Sequence, residues 1–427
     1  MTSSNSANNR SVVTGQQLGL LGGPLFSIVK LIGAIREAET RNTQAIFWLE
    51  SHDADFSEAN TLTFIDPSHT IHRLQWKKKT FGMPIGTIII DDDLIAIIET
   101  MFRMLPQTAA SRAARRLVLA CFKVKRNLGA ATEELFKHYF KDFKITFFNP
   151  YNKAFHEFSK PLLLREAEHT PVDNQCNLFA LVDGIRTSVF RSSRHHFTTR
   201  TGKPVNLHRH ILVPNLKTRS LLQDAYLNVD CYIAGKSEAA YLKNLEPEYI
   251  RHHITPATVK KRMFLTLLTP QYQNHLKSLH SLGISLATLK RYPYHDLHYN
   301  LIKKRTGLDL LNHRAKLKTE KENFLKALTP LEHKEAISSP MPPSLKKIER
   351  LLYKELKHLW GAKRARSKKL VAPEATLLKE LRTWVYPFNT EQERIFNWVP
   401  LIAEHGKPLL HTIYNQYTFT NKVLKLD

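Results

Sequence analysis

Apolar and polar residues in the first sixty positions come in blocks rather than in simple alternation. Val12–Thr14 predicts a short strand that runs into a Gly/Gln loop at residues 15–24. Leu25, Ile28, Val29, Ile32 and Ile35 then recur with helical spacing. Pro24 just ahead of them suits a first helical position, where a missing N–H is no loss. The compact run AIFWL at 45–49 predicts a buried strand, and the acidic, polar elbow ESHDADFSE follows it. Strand, loop, helix and strand in this order predict the opening of a doubly wound α/β fold.

Farther on the pattern changes. GTIIIDDD predicts a strand and its end, helical character marks 94–104 and 112–140, and ITFFNP predicts another strand. NLFALVDG, SVFRSS and HHFTT predict short strands between turns. LKTRSLLQDAYL predicts a helix, and VDCYIAGKSEAAYLKNL predicts strand, turn and helix. After about Phe264 the chain is expected to be mostly helical. Proline punctuation at SSPMPPS precedes a basic helix from Leu345 to about Lys369, where Leu345, Ile348, Leu352, Leu356 and Leu359 form a heptad-like apolar seam. The expected organisation is a disordered tail at 1–11, a Rossmann-like core at 12–268 with an inserted segment at about 80–170, a helical region at 269–340, a coiled coil at 341–386, and a C-terminal segment at 387–427 packing on the core.

Composition narrows the classes. Hydrophobic residues make up 42% of 427 positions, as in a globular protein. Lys and Arg number 63 against 38 Asp and Glu, a formal charge of +25, which attracts polyanions, nucleic acid among them. Because that charge is spread along much of the chain, a generally basic surface is favoured over a nucleic-acid partner. The same holds for KRARSKK, more simply a solvated basic face. Cys121, Cys176 and Cys231 are too few and too far apart for a disulfide framework or a CxxC metal site. Of the three, Cys231 is the best placed for a catalytic thiol, although a buried small hydrophobe is the simpler role. The N-terminus lacks a signal-peptide pattern, and Gly15, Gln16, Gln17, Gly22, Gly23, Pro24 and Lys30 interrupt the apolar stretch 12–35, so no membrane span is expected and a cytoplasmic location is.

Four features could carry chemistry. Gly15, Gln16, Gln17, Gly22 and Gly23 would let backbone amides approach an anion, and a tight turn explains the glycines equally, though not the paired glutamines. Asp53 and Asp55, in HDADF after a strand, could hold an amine or move a proton; with His52 they could hold a divalent metal, and a helix cap is the structural alternative for one of them. In AGKSE, Lys236 could contact phosphate or carboxylate, while Glu238 could simply be an early-turn carboxylate. Asn215, Arg219 and Gln223 share one helical face, with Asp224 beside them; that stripe suits a polyhydroxylated, carboxylated substrate or a solvated surface.

At these residues the chain resembles the family of bacillithiol-biosynthesis cysteine-adding enzymes. VVTGQQLGLLGGPLFSIVK is similar to that family's opening motif, and AIFWLESHDADFSEAN to its next strand and loop. NLFALVDG, NLKTRSLLQD with YIAGKSEAAY, and QERIFNWVPLIAEHG follow in the family's order. The resemblance implies a Rossmann-like core akin to class I aminoacyl-tRNA synthetases, helical insertions, and a C-terminal coiled coil supporting a homodimer. The implied reaction joins cysteine to glucosaminyl-malate as an amide. It carries over Gly15, Gln16, Gln17, Gly22, Gly23 and Pro24, then Ser51, Asp53 and Asp55, then Asn215, Arg219, Gln223, Asp224, Gly235 and Glu238. Asp53, Asp55, Arg219 and Glu238 are the expected catalytic residues, the others and Lys236 the binding ones, with ATP the expected activator and no metal. The chain departs from the family where His52, Asp53, Ala54 and Asp55 replace Glu-Asp-His-Asp, and where Ala234–Glu238 replace Gly-Gly-Pro-Gly-Glu. The competing expectations are a catalytically weak nucleotide- or RNA-binding protein on the same scaffold, and nucleotidyl transfer without cysteine.

Overall fold

The computed structural model describes residues 10–328 and 343–426. The expected tail lies outside the described residues except for Arg10 and Ser11, and Ser11 is buried as the first residue of a strand. Most of the SSPMPPS punctuation also lies outside them. The chain divides into two compact units, Met1–Thr266 with Gln392–Leu424, and Leu267–Glu391 with Lys425–Asp427.

The first unit opens with β1 (Ser11–Gln17), the helix Leu25–Arg41 and β2 (Gln44–Glu50). A hairpin of β3 (Thr61–Ile65) and β4 (Ile71–Gln75) follows, then helices and β5 (Thr146–Phe148). Next come β6 (Gln175–Val182), β7 (Ile185–Arg191), β8 (Phe197–Thr199) and β9 (Ile211–Pro214), which form an antiparallel sheet in the order β8-β7-β6-β9. The helix Leu216–Tyr226 leads to β10 (Val229–Ala234), a short helix Lys236–Leu242, and β11 (Thr258–Lys261). The strands β1, β2, β5, β10 and β11 form one parallel sheet in the order β11-β10-β1-β2-β5. The apolar runs of β1, β2 and β10 are the signature of strands covered on both faces, and all three are buried along most of their length. The last strands, β12 (Phe264–Leu268) and β13 (Asn421–Lys425), pair with each other.

Two local expectations need correction. GTIIIDDD forms no strand: Ile85–Thr87 is a single 3-10 turn, and Asp91 caps the helix Asp92–Met104 by accepting from the Leu94 amide. Ile88 and Ile90 are buried and Ile89 is exposed in an extended linker that meets Asn127 through a single bridge, and Asp91 satisfies the helix N-terminus that follows. Pro24 precedes the first helical residue, one position earlier than expected.

Gly22 and Gly23 both adopt φ of +82°, and a Cβ on Gly22 would stand 2.8 Å from Trp398 Nε1 and 2.9 Å from Phe136 Cζ. Trp398 itself stacks on Phe136 with ring centroids 5.7 Å apart, and Asn397 donates to the Leu20 carbonyl at 2.8 Å. Gly22→Ala is therefore expected to destabilise the protein by about 2–3 kcal/mol, combining left-handed strain with overpacking. The urea midpoint reads this; a change within about 0.5 kcal/mol would mean that the loop yields freely.

In the second unit, helices Pro270–His280 and Ala372–Val385 meet where Tyr272 stacks on Trp384 with centroids 4.7 Å apart, while Trp384 Nε1 donates to the Leu267 carbonyl at 2.6 Å. The basic helix runs from Pro343 to Leu370. In its expected seam the side chains of Leu345 and Ile348 lie outside the described residues; Leu352 and Leu356 are half-buried and Leu359 is exposed. No described helix is long and apolar enough to cross a membrane.

Candidate functional site

The chain leaves β1 toward β2 and β5 on one side, and returns later to add β10 and β11 on the other. The carboxyl ends of β1 and β10 therefore bound the crevice at which an open parallel sheet binds its ligands. A cavity of about 130 Å³ lies there, lined by Gln16, Phe26, Lys30, Gly235, Ser237, Glu238, Arg262 and Arg394.

Lys30 reaches this cavity from the helix Leu25–Arg41, whose first three turns are otherwise almost wholly apolar, and is 3% exposed. Its ammonium donates to the Gly15 carbonyl at 2.5 Å and to Glu238 Oε2 at 2.8 Å. Burial pulls the Lys30 pKa down, against the opposing pull of Glu238. Glu238 also accepts from Tyr232 Oη at 2.7 Å and from the Gly235 amide at 3.0 Å, which closes the N-terminus of its short helix. Burial raises the Glu238 carboxyl, but Lys30 and these donors outweigh it and hold the group below its ordinary value. The pair is thus anchored by backbone and phenol. Only groups held this firmly keep their geometry while a ligand exchanges for water.

Arg262, 1% exposed, makes a two-pronged contact with Glu393 at 2.7 and 2.9 Å, and Glu393 accepts from the Leu265 amide at 2.8 Å. The guanidinium sits 4.8 Å from the Phe264 ring centroid and 5.4 Å from that of Phe26, and its Nε has no hydrogen-bond partner. The next residue after Glu393, Arg394, reaches the same cavity from the exposed side. Three cations and one carboxylate thus face a space suited to a small anionic or zwitterionic group.

Of the residues singled out in the sequence, Gln16, Gly235 and Glu238 line this cavity, and Gly15 supplies the carbonyl that holds Lys30. Arg219 lies in an adjoining cavity of about 30 Å³ that shares Tyr232 with the first network. Its guanidinium donates to Glu50 at 2.6 Å and to Tyr241 Oη at 3.3 Å. Gln223 and Asp224 line that second cavity too; Asp224 accepts from Tyr249 Oη at 2.7 Å and the Ala257 amide at 3.0 Å, and burial pushes it up to about 6. Asn215 caps its own helix through the Lys217 and Thr218 amides. Lys236 points to solvent, so the cation expected from AGKSE comes from Lys30 instead.

The second loop turns away from the cavity altogether. Ser51 is fully buried and donates to Asn149 at 2.7 Å. Asp53 pairs with Arg186 at 2.9 Å, and Asp55 accepts from Ser57 at 2.6 Å without capping the helix it precedes. Gln17 donates to the Asp55 carbonyl at 3.4 Å, while Gly22 is enclosed beneath Trp398 and Gly23 lies against Ser27. Among the described residues no three His, Cys, Asp or Glu side chains gather as a metal-ion site. All three cysteines are buried, and burial raises the Cys231 thiol, so a nucleophilic role has no support there.

His52 does not replace the histidine missing from position 54, since it faces Tyr151 and His156 with centroids 4.3 and 5.3 Å away and is 2% exposed. Burial, with His156 and Arg186 as smaller causes, lowers its pKa to about 3. The folded form binds fewer protons than the unfolded chain between pH 6.5 and 3, so stability falls as pH falls through that window. His52→Phe is expected to retain about 2 kcal/mol between pH 7 and 5 that the parent loses. Equal acid slopes for parent and variant in urea titrations would rule this out.

Sequence reasoning passed over Lys30, Arg262, Glu393 and Arg394. Lys30 did carry a signal, as a lone cation on an apolar helical stripe, and the QER of residues 392–394 was noted only as part of a family likeness.

Comparison with known proteins agrees with this architecture. The N-terminal Rossmann-like domain model of bacillithiol biosynthesis BshC matches residues 3–177, and the C-terminal coiled-coil domain model of the same family matches residues 265–426. Relatives carrying the provisional name cysteine ligase BshC include one from Salinibacter ruber, 24% identical over 94% of this chain and 79% of its own length. Another, from Chlorobium phaeobacteroides, is 23% identical over 93% of this chain and 79% of its own. The match to the protein of Solibacter usitatus is 25% identical over 56% of this chain, and spans about half (51%) of that relative. With models for both ends of one family matched in order along the chain, and a parallel sheet and C-terminal helices to go with them, the chain belongs to the bacillithiol-biosynthesis BshC family.

Proposed function

We propose that this protein is an amide-forming ligase that joins the carboxyl group of cysteine to the amine of glucosaminyl-malate. The observation that carries the reading is the convergence of Lys30, Arg262 and Arg394 opposite Glu238 in one cavity at the sheet's switch point. Cations there would bind carboxylate or phosphate, and Glu238 would hold an ammonium or amine. The residues fit an anionic group such as a phosphate of ATP. In this reading a carboxyl oxygen of cysteine would leave on the phosphoryl or adenylyl group that ATP supplies: the C–O bond breaks as the C–N bond forms, the amine gives up its proton, and ATP is split to ADP and phosphate or to AMP and pyrophosphate. The side chains of Asp53 and Asp55 have no part in this version of the site, and Arg219 acts on it through Tyr232 and Tyr241. Of the departures from the family pattern, Ala54 and Lys236 fall outside the cavity lining, whereas Ser237 stands in it where the family has glycine.

The enzyme would work in the cytoplasm as a homodimer. The exposed Leu351 and Leu359 on the helix Pro343–Leu370, 52% and 63% accessible, would be covered by a second copy. Incubation of folded protein with cysteine, glucosaminyl-malate and ATP, followed by mass spectrometry, tests the reaction. The conjugate should form only with all three present; its absence would remove the ligase reading.

A further inference from the structure

A separate feature lies on the antiparallel sheet, away from the ligase cavity. Between Asp183 and Asp224 the chain holds no Asp or Glu, while residues 191–210 contain Arg191, Arg194, Arg200, Lys203 and Arg209 and four histidines. That stretch folds into the free edge of the sheet, with β8 outermost. Arg191 fixes the loop before β8 by donating to four carbonyls, those of Glu168 at 2.5 Å, Thr170 at 2.8 Å, Ser193 at 3.3 Å and Arg194 at 2.9 Å. With its donors spent on backbone, Arg191 organises a loop whose exposed Arg194 and His195 form no ion pair among the described residues.

Two open grooves flank this edge. One, of about 400 Å³, is lined by Arg194, His195, His196, His208 and Phe197, with Glu168 its acidic member. The other, of about 460 Å³, is lined by Phe190, Arg191 and Arg200, with Asp173 its acidic member. Arg191 pairs with Phe197 across the ribbon and Phe190 with Thr198. Neighbours in register share a face, so the two aromatic rings lie on opposite faces of the β7–β8 ribbon. Each groove thus joins a half-buried aromatic ring to arginine, and the two meet over a strand only three residues long.

We propose that this edge binds single-stranded nucleic acid, which would cross β8 with its backbone along the arginines and histidines and with bases against Phe197 on one face and Phe190 on the other. Cationic tracks interleaved with aromatic faces are the recurring means of holding such strands without sequence preference. An acidic peptide would use the cations but not the accessible parts of the rings, of which Phe197 rests its other side on the core. The proposal does not depend on the ligase reading.

The test is fluorescence anisotropy with a labelled oligouridylate of about twelve nucleotides, using the full chain. Binding in the micromolar range that weakens steeply with salt is expected. R194E/H195E/R200E should weaken it roughly tenfold or more, with circular dichroism unchanged, while K357E/R366E/K369E on the helix Pro343–Leu370 should leave it nearly intact. Absence of binding by the parent protein, loss confined to the helix variant, or equal competition by polyglutamate of matched charge would each overturn the assignment.

Discussion

Lys30→Met is expected to cut conjugate formation by at least about a hundredfold, the range seen when a preorganised charge is removed from a reacting site. Methionine preserves the length and apolar body of the side chain, so the helix Leu25–Arg41 should persist, and Glu238 keeps its bonds from Tyr232 and Gly235. What disappears is the ammonium between the Gly15 carbonyl and Glu238. Lys30→Arg should rescue poorly, because a planar fork cannot replace a compact charge held at 2.5 and 2.8 Å in a closed space. The pH profile gives an independent check. The buried Lys30 has a lowered pKa, so the cost of burying its charge is present below that pKa and relieved as pH rises toward 10.5. Activity that needs the charged form should fall over that same rise. Glu238→Gln removes the group that holds the pKa up, so the alkaline limb should move to lower pH. An unmoved limb, with activity otherwise measurable, would show that the Lys30 charge plays no part.

The second large effect concerns stability. Arg262 and Glu393 are each 1% exposed and bring β11's end and the C-terminal segment together within the first unit. Removing one partner strands a buried charge, so Arg262→Met or Glu393→Leu is expected to cost about 3–5 kcal/mol. The double variant Arg262→Met/Glu393→Leu should recover most of that loss, since the desolvation penalty then vanishes with both charges. Denaturant titrations of the four proteins form a complete cycle. Single variants within about 1 kcal/mol of the parent would mean that water reaches the pair. Because Arg262 also lines the cavity, the double variant should regain stability without regaining ligase activity. That separation distinguishes a binding role for Arg262 from a purely structural one.

Several elements of the fold were legible from local pattern. The apolar run AIFWL could be little other than a buried strand, and the spacing from Leu25 to Ile35 little other than a helix face. The loop GQQLGLLGGP is expected between the first strand and that helix; Gly15–Gln17 instead extend β1, and the two halves of the segment do different work. Gln16 and the Gly15 carbonyl face the cavity, whereas Gly22 admits Trp398 from the far end of the chain. HDADF is placed differently: carboxylates at a strand's end fit catalysis as a class, and β2 lies one strand beyond the switch point, so neither aspartate lines the cavity. There Asp53 answers to Arg186, which is 133 positions away in sequence.

What the sequence determined by itself is the α/β class, the order of its opening elements and the family likeness, because these rest on periodicity and on motifs that are contiguous along the chain. Which charges share a cavity was decided only in three dimensions. The strand order β11-β10-β1-β2-β5 sets Lys30 against Glu238, and the return of Gln392–Leu424 to the first unit supplies Glu393 and Arg394. A buried ion needs its counter-charge within a few ångströms, and the chain can bring that partner from any distance along its length.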